Sequence, residues 1–128
     1  MEYNANLKLR SVSEEQTQDE SCSCRYEQKE NVLEIAYSDT LIRVFKDEAV
    51  IERTGEMRFK MFVKPGEKAH CEVQTELGSF TLEVFGRGIL VRERSDGLNI
   101  FISYDSGIDS ESMQTTRLSL KLENKKML

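Results

Sequence analysis

Apolar residues alternate with polar ones along almost the whole chain, which is the pattern of strands that are buried on one face only. The alternating segments begin near Leu7, Leu33, Met57, Cys71, Phe80, Leu98 and Leu118. Short polar or glycine-containing stretches separate them, such as SEEQTQDE at 13–20, and no segment has a helical repeat. The pattern predicts about eight to ten antiparallel strands that close into a barrel or a flattened sandwich.

Composition and charge favour one domain without a nucleic-acid or membrane surface. A chain of 128 residues with 38% hydrophobic content suits a single β-barrel domain over residues 1–128. The 18 Lys and Arg against 23 Asp and Glu give a net charge of -5, which predicts no nucleic-acid partner and no attraction to anionic lipid. No stretch has the apolar length of a signal peptide or of a bilayer-spanning helix, so we expect a cytoplasmic protein.

The residue types that carry catalysis and metal binding are scarce. The three cysteines, Cys22, Cys24 and Cys71, are an odd number in a chain without a secretion signal, which indicates reduced thiols. His70 is the single histidine, and its side chain is expected to point away from that of its neighbour Cys71 on a strand. The sequence therefore predicts no metal site, no cofactor and no enzymatic activity.

The stretch LGSFTLEVFGRGILVRE, residues 77–93, changes its alternation at Gly86 and Gly88. Its apolar residues occupy even positions before the glycines and odd positions after them. A slip of one residue is typical of a β-bulge, and it predicts that Arg92 and Arg94 face solvent. Without the slip both arginines would face the barrel interior, where they would suit a bound anion. The first alternative is favoured because two unpaired buried guanidinium groups are costly.

Arg53 is a charged residue that the alternation places on the core side of its strand. It shares its parity with Ile51 and Phe59 and directly precedes the turn residues Thr54 and Gly55. At the end of a barrel, an arginine either hydrogen-bonds the carbonyl groups of loops or binds a ligand. The pattern favours the first role and leaves the second open.

Three phenylalanines fall on the polar parity of their strands, which predicts that they are exposed. They are Phe62, Phe85 and Phe101. Single exposed aromatic residues are ordinary, whereas three together would form a patch suited to a homodimer or another partner. Whether they meet depends on the tertiary structure.

Several short motifs follow one another after residue 31. They are RTG at 53–55, MF at 61–62, TELGSFTLEV at 75–84 and LNIFISYD at 98–105. In order and spacing they resemble the YwiB-like family of small bacterial proteins of unknown function, whose fold is similar to the calycin barrels of lipocalins and fatty-acid-binding proteins. The resemblance implies an all-β fold with a single antiparallel calycin-like, lipocalin-like β-barrel, and it implies no activity because the family has none assigned.

Related barrels bind apolar ligands in the interior, often with an Arg and a Tyr at the acid group. By this analogy the resemblance implies Arg53, Arg92 and Tyr104 as ligand-binding candidates, and Thr75 joins them at the start of TELGSFTLEV. The leading hypothesis is a non-enzymatic binding module that takes a small apolar or amphipathic ligand in the barrel interior. The alternative is a protein with a filled core that acts through its outer face as a homodimer.

Overall fold

The computed structural model describes residues 2–125 and consists of one antiparallel sheet. Its ten strands are β1 (Glu2–Val12), β2 (Thr17–Gln28), β3 (Leu33–Tyr37), β4 (Thr40–Val44), β5 (Ala49–Arg53), β6 (Phe59–Val63), β7 (Lys68–Thr75), β8 (Gly78–Arg94), β9 (Gly97–Gly107) and β10 (Gln114–Asn124). Each strand pairs with its neighbours in the chain, except that β6 and β7 end the sheet order and form no ladder with each other, and β1 also pairs with β10. The predicted all-β antiparallel barrel is confirmed. In the part of the chain that the structure describes, no helix is long and apolar enough to cross a membrane.

The sheet curls until its two end strands, β6 and β7, meet, which makes a nearly closed barrel. Arg58 and Gln74 exchange two backbone hydrogen bonds of 2.9 Å at one end of this seam. At the other end, the Gly66 amide donates to the Gly86 carbonyl at 2.9 Å, and the Gly86 amide donates to the Glu67 carbonyl at 3.1 Å. These bonds leave little unpaired sheet edge exposed.

The inward-facing side chains fill the barrel over most of its length. The residues at the centre are apolar and almost fully buried, and they come from strands all around the sheet. They include Leu7, Ile35, Ile42, Val63, Val73, Val84, Ile100, Ile102, Leu120 and Leu122. A barrel of this kind is a packed core with space for a ligand only towards its ends.

The predicted slip in β8 is confirmed, and it lies between Gly86 and Gly88. Gly86 pairs with Tyr104 and Gly88 pairs with Ser103, so Arg87 is the extra residue of a β-bulge. After the bulge, Arg92 is opposite Asn99, on the sheet face away from the buried Ile100. Arg92 and Arg94 therefore lie on the outer face, as the slip predicts.

The first hairpin is longer than the sequence indicates. The polar stretch 13–20 was expected to separate two strands, but only residues 13–16 form the turn, and β2 begins at Thr17. The Ser13 amide donates to the Gln16 carbonyl at 2.9 Å, and the Arg10 Nε donates to Asp19 at 2.8 Å across the strands. Polar residues can form a strand here because residues 17–21 are all exposed to water, while their backbone groups pair with β1.

Closure of the barrel predicts different effects of alanine at the two bulge glycines. A Cβ atom on Gly86 would lie 2.3 Å from the Lys64 carbonyl oxygen, whereas a Cβ on Gly88 meets only the Ser103 Oγ at 3.7 Å. We expect Gly86→Ala to lower the free energy of unfolding by about 1–3 kcal/mol, because the seam must move apart to admit the methyl group. Gly88→Ala is the matched control and should cause no loss in urea unfolding. Equal effects of the two variants would contradict the proposed contact.

Candidate functional site

One row of inward-facing residues lines the barrel at the end where β3 turns into β4. Tyr37 pairs with Thr40, Thr40 pairs with Arg53, and Arg53 pairs with Phe59, so the row crosses four strands. Directly paired residues of antiparallel strands point to the same face of the sheet. Arg53 therefore has the core-side orientation that its parity predicts, although its position at the barrel end leaves it exposed.

The RTG motif holds Arg53 at this rim. The Thr54 amide donates to the Asp39 carbonyl at 2.9 Å, and this bond ties the end of β5 to the turn between β3 and β4. Gly55 has φ 106°, a conformation that favours glycine, and a Cβ atom there would lie 2.9 Å from the Asp39 carboxylate. The motif is thus a turn that packs closely on its neighbour and places the arginine beside Tyr37.

A cavity of about 220 Å³ lies behind this row. Its opposite wall comes from β1, β9 and β10, which contribute Leu9, Tyr104 and Leu118. The lining combines four apolar residues, Leu9, Ile51, Phe59 and Leu118, with a larger number of polar ones. The complete lining is Leu9, Ser11, Gln18, Glu20, Tyr37, Ser38, Asp39, Thr40, Ile51, Arg53, Phe59, Tyr104 and Leu118. The structure therefore brings together two of the predicted ligand-binding residues, Arg53 and Tyr104.

The electrostatics of the mouth keep both tyrosines neutral at physiological pH. Burial raises the pKa of Tyr104, with an opposing effect of the Thr116 hydroxyl. Burial also raises the pKa of Tyr37, where Thr40 and Arg53 act in the opposite direction and Glu20 adds to the increase. Each phenol keeps its proton and can donate a hydrogen bond into the cavity.

The mouth of the cavity carries negative as well as positive charge. Arg53 forms no ion pair with any other residue in the range 2–125. However, the carboxylates of Glu20 and Asp39 line the same cavity. A bound molecule therefore meets donors from the arginine and tyrosines together with acceptors from two acids.

The other two ligand-binding candidates lie elsewhere. Arg92 is on the outer face of β8, separated from the cavity by the sheet itself. Thr75 lies in the turn between β7 and β8, where its Oγ1 donates to the Gly78 carbonyl at 3.0 Å and accepts from the Leu77 amide at 3.2 Å. These bonds give Thr75 a local role in the turn.

The three candidate interface phenylalanines lie on different strands, and two of them are well apart on the outer face. Phe101 pairs with Leu90, whereas Phe85 pairs with Asp105, four residues further along β9. Four residues of a strand span roughly 13 Å, so these two rings lie well apart. Phe62 is on β6 at the barrel seam, where the Lys60 ammonium lies 5.6 Å from its ring centre. Phe62 and Phe101 are exposed by 41% and 37%, so each is accessible separately.

The cysteines and the histidine do not assemble into a site. In the structure over residues 2–125, no three His, Cys, Asp or Glu side chains are grouped so that they could hold a metal ion. Cys22 and Cys24 pair with Leu7 and Ala5 on the inner face, and Cys71 pairs with Leu82 on another wall. Burial raises the pKa of Cys24 to about 11, so its thiol stays protonated and unreactive at neutral pH.

A second, larger hollow of about 730 Å³ lies at the other end of the barrel, between the turn that joins β2 to β3 and the turn that joins β4 to β5. It is more open than the cavity at Arg53, and its walls carry Lys29, Lys46 and Lys64 beside Glu30, Asp47 and Glu48. The mixture of exposed charges and its wide opening make it less suited to enclose a ligand than the cavity with the tyrosines.

Comparison with known proteins identifies the family. The family model described as "Domain of unknown function (DUF1934)" matches residues 6–120, which is most of the chain. The chain belongs to the DUF1934 family. The crystal structure of the YwiB protein from Bacillus subtilis superposes with a TM-score of 0.81 at 18% sequence identity, over 98% of this chain and 94% of that chain. At this identity the likeness shows the fold alone, and the predicted YwiB-like resemblance is confirmed. Comparison with curated proteins gives no match.

Some residues at the mouth of this DUF1934 barrel were missed by sequence reasoning. The alternation gives Tyr37 no role at a rim, and Glu20 belongs to the polar stretch 13–20 that is expected to separate two strands. The signal for Tyr37 was its place as the last inward position before a turn, which is where a barrel strand reaches the rim. Glu20 carried no such signal, because its place depends on the unexpected length of the first hairpin.

The buried carboxylate of Asp105 is satisfied by its neighbours and is therefore a structural group. The Arg87 Nε donates to its Oδ1 at 2.7 Å, and the Thr115 Oγ1 donates to the same oxygen at 2.6 Å. These bonds join the bulge residue of β8 to β9 and β10. The hydrogen bond from Arg87 lowers the pKa of Asp105, with a further contribution from Thr115.

This lowered pKa predicts an acid-sensitive contribution to stability. We expect Asp105→Asn to reduce the free energy of unfolding at pH 7 by about 1 kcal/mol, because the half-exposed Arg87 is partly screened by water. The contribution is present above the pKa of an unfolded aspartate, about 3.9, and is lost as the pH falls through the lower pKa of the folded state. Urea unfolding from pH 2 to pH 7 should show the two proteins converging at acid pH.

The control for this prediction is Asp19→Asn, which makes the same change in the exposed ion pair with Arg10. It should have a smaller effect at pH 7, because both members of that pair are largely in contact with water. An Asp105→Asn protein as stable as the wild type at pH 7 would contradict a stabilising role for the bonds of Asp105 with Arg87 and Thr115.

Proposed function

We propose that the protein is a non-enzymatic binding module that takes a small amphipathic ligand in the cavity at the mouth of the barrel. The observation that carries this proposal is the convergence of Tyr37, Arg53 and Tyr104 on one cavity whose lining also includes the apolar side chains of Leu9, Phe59 and Leu118. A concave site in which convergent polar groups can fix the orientation of a molecule is the usual form of a ligand site.

The size of the cavity limits the ligand. Pockets that enclose drug-sized molecules have volumes of roughly 300–1,000 Å³, and this cavity has about 220 Å³. Below it the barrel is filled by Ile35, Ile102 and their neighbours, so a long chain has no space to enter. The ligand is therefore a short molecule whose apolar part contacts Leu9, Phe59 and Leu118 and whose head remains near the rim.

The polar groups favour a head that both donates and accepts hydrogen bonds. Arg53 and the two tyrosines offer donors, but the carboxylates of Glu20 and Asp39 repel a simple anion. A hydroxylated or zwitterionic head gains from both kinds of group. A carboxylate head without a donor is attracted by Arg53 and repelled by Glu20 and Asp39.

The alternative, a homodimer formed through Phe62, Phe85 and Phe101, has less support. The register separates Phe101 from Phe85, and Phe62 lies on another strand at the seam. Catalysis at the cavity also has less support, since the described lining residues include no histidine or cysteine to act as base or nucleophile.

Native mass spectrometry of the freshly purified protein, compared with its denatured mass, is the first test. A retained adduct of low mass would support the binding module and identify the class of ligand. A clean mass at the dimer would favour the outer-face alternative.

A titration with two probes tests the site itself. We expect monooctanoylglycerol to shift the amide NMR signals of the residues around the cavity and to bind more tightly than octanoate. Arg53→Ala and Tyr104→Phe should each weaken binding by about threefold to tenfold, because each removes a hydrogen bond at the rim. Arg58→Ala is the matched control, since Arg58 lies beyond the RTG turn and does not line the cavity.

Shifts confined to other parts of the barrel would place the ligand elsewhere. Equal loss of affinity in Arg53→Ala and Arg58→Ala would mean that the arginine contributes only general positive charge, and the proposed site would be abandoned.

A further inference from the structure

The outer face of β1, β10, β9 and β8 carries a concentration of positive charge in a protein whose net charge is -5. Seven cations on these strands point outward. Arg87 is paired with Asp105 at 2.7 Å, and we call the surface of the other six the cationic face. They are Lys8, Arg10, Arg92, Arg94, Arg117 and Lys121.

Strand register places three of these cations in one row. Lys8 pairs with Lys121, Lys121 pairs with Asn99, and Asn99 pairs with Arg92. The row spans three strand spacings, roughly 14 Å. Like charges that are directly opposite, such as the two lysines, destabilise a sheet. The repulsion between the two lysines destabilises the free protein, and an anion bound across the row would offset it.

Only half of the cationic face is neutralised by its own chain. Arg10 pairs with Asp19 at 2.8 Å, Lys121 with Glu123 at 3.3 Å, and Arg94 with Asp96 at 3.4 Å. The remaining three cations form no ion pair with any described residue. They are Lys8, Arg92 and Arg117.

The centre of the face is apolar and exposed. Phe101 pairs with Leu90 in the row next to the cations, and the two side chains are 37% and 45% exposed. A groove of about 460 Å³ runs over Phe101 between Lys8, Arg10 and Lys121. A second hollow continues it past Leu90 towards Arg117. An apolar centre with a charged rim is the usual anatomy of a protein-binding surface.

Unmatched hydrogen-bonding groups lie on the same face. Among the described residues, the buried side-chain polar atoms without a hydrogen-bond partner are the Nε and Nη2 of Arg94 and the Oδ1 of Asn99, and the Nη2 lies 3.4 Å from the Asp96 carboxylate in the ion pair described above. Buried polar atoms nearly always have partners in folded proteins. A peptide backbone offers both of the missing groups, a carbonyl for the arginine and an amide N–H for the asparagine, after a small rotation of either side chain.

We propose that the cationic face binds an acidic segment of a partner protein. The segment places carboxylates across Lys8, Lys121 and Arg92 and an apolar side chain against Phe101 and Leu90. The proposal does not depend on the cavity at Arg53, which lies on the other side of the sheet.

Charge argues against two other occupants. A second copy of the chain in a two-fold dimer would bring the same patch against itself, so the row of cations would oppose an identical row. A nucleic acid extends beyond the face and would meet the remaining surface, which is negative because the whole chain has a charge of -5. A short acidic segment stays within a Debye length of the cations, about 8 Å at physiological salt, and avoids that repulsion.

The test uses three fluorescein-labelled probes with the full-length protein. The first is a peptide of glutamate and serine with one central leucine, the second replaces that leucine by serine, and the third is an oligouridylate of the same charge. We expect the leucine peptide to bind most tightly, with an affinity that falls as salt is raised, and to shift amide NMR signals of β1, β8, β9 and β10.

Charge reversal and truncation of the aromatic ring separate the two parts of the face. The double variant Lys8→Glu, Arg92→Glu should bind the leucine peptide at least about tenfold more weakly, which corresponds to about 1.4 kcal/mol. The control with the same change in charge is Lys60→Glu, Lys68→Glu on β6 and β7, and it should stay within about twofold because exposed charges far apart are screened. Phe101→Ser should weaken binding of the leucine peptide and leave the serine peptide unchanged, whereas Phe62→Ser should affect neither.

Four outcomes would overturn the proposal. They are no binding of the leucine peptide at physiological salt, equal loss in both double variants, tighter binding of the oligouridylate, and a solution dimer that Phe101→Ser dissociates. The last two would assign the face to a nucleic acid or to a second copy of the chain.

Discussion

The close approach of Gly86 to the backbone at Lys64 is the contact on which the barrel depends. It holds the chain that follows β6, the first strand of the sheet order, against β8, and no residue with a Cβ atom fits there without displacing backbone. The bulge at Arg87 follows immediately, so a single short segment both ends one half of β8 and reverses the facing of the other half. The closure of the barrel and the facing of the second half of β8 are therefore both fixed in this segment.

The reversal in β8 decides which face of the barrel its last two arginines occupy. Because the alternation slips at Arg87, the inner positions after the bulge go to Ile89 and Val91, and the arginines turn outward. Arg92 thus joins Lys8 and Lys121 on the outer face and leaves the interior apolar. Of the four ligand-binding residues that the sequence predicts, Arg53 and Tyr104 are the two at the barrel mouth. The outward position of Arg92 is thus a consequence of one extra residue, whereas the position of Arg53 at the rim follows from the pairing of β4 with β5.

Filling of the core decides what kind of binding the barrel can support. Lipocalin-like barrels were expected to hold a ligand in the interior, but the side chains of Leu7, Ile42 and Ile100 occupy the middle of this one. The remaining space lies at the two ends of the barrel, and in the cavity at Arg53 the strands β3, β5 and β9 place Tyr37, Arg53 and Tyr104. Ligand size is therefore set by how far the core extends towards the end of the barrel.

The sequence by itself determined the strands, their antiparallel order, the slip at the glycines and the inward parity of Arg53, because all of these are properties of period-two alternation along one chain. It could not determine that Tyr37 faces Arg53 or that Lys8 lies opposite Lys121, since those neighbours are set by register between strands distant in sequence. Nor could it show that Phe85 and Phe101 lie apart, or that β2 begins at Thr17 within a polar stretch. Only the tertiary structure decided these points, because pairing across strands and closure of the sheet depend on packing that no local pattern records.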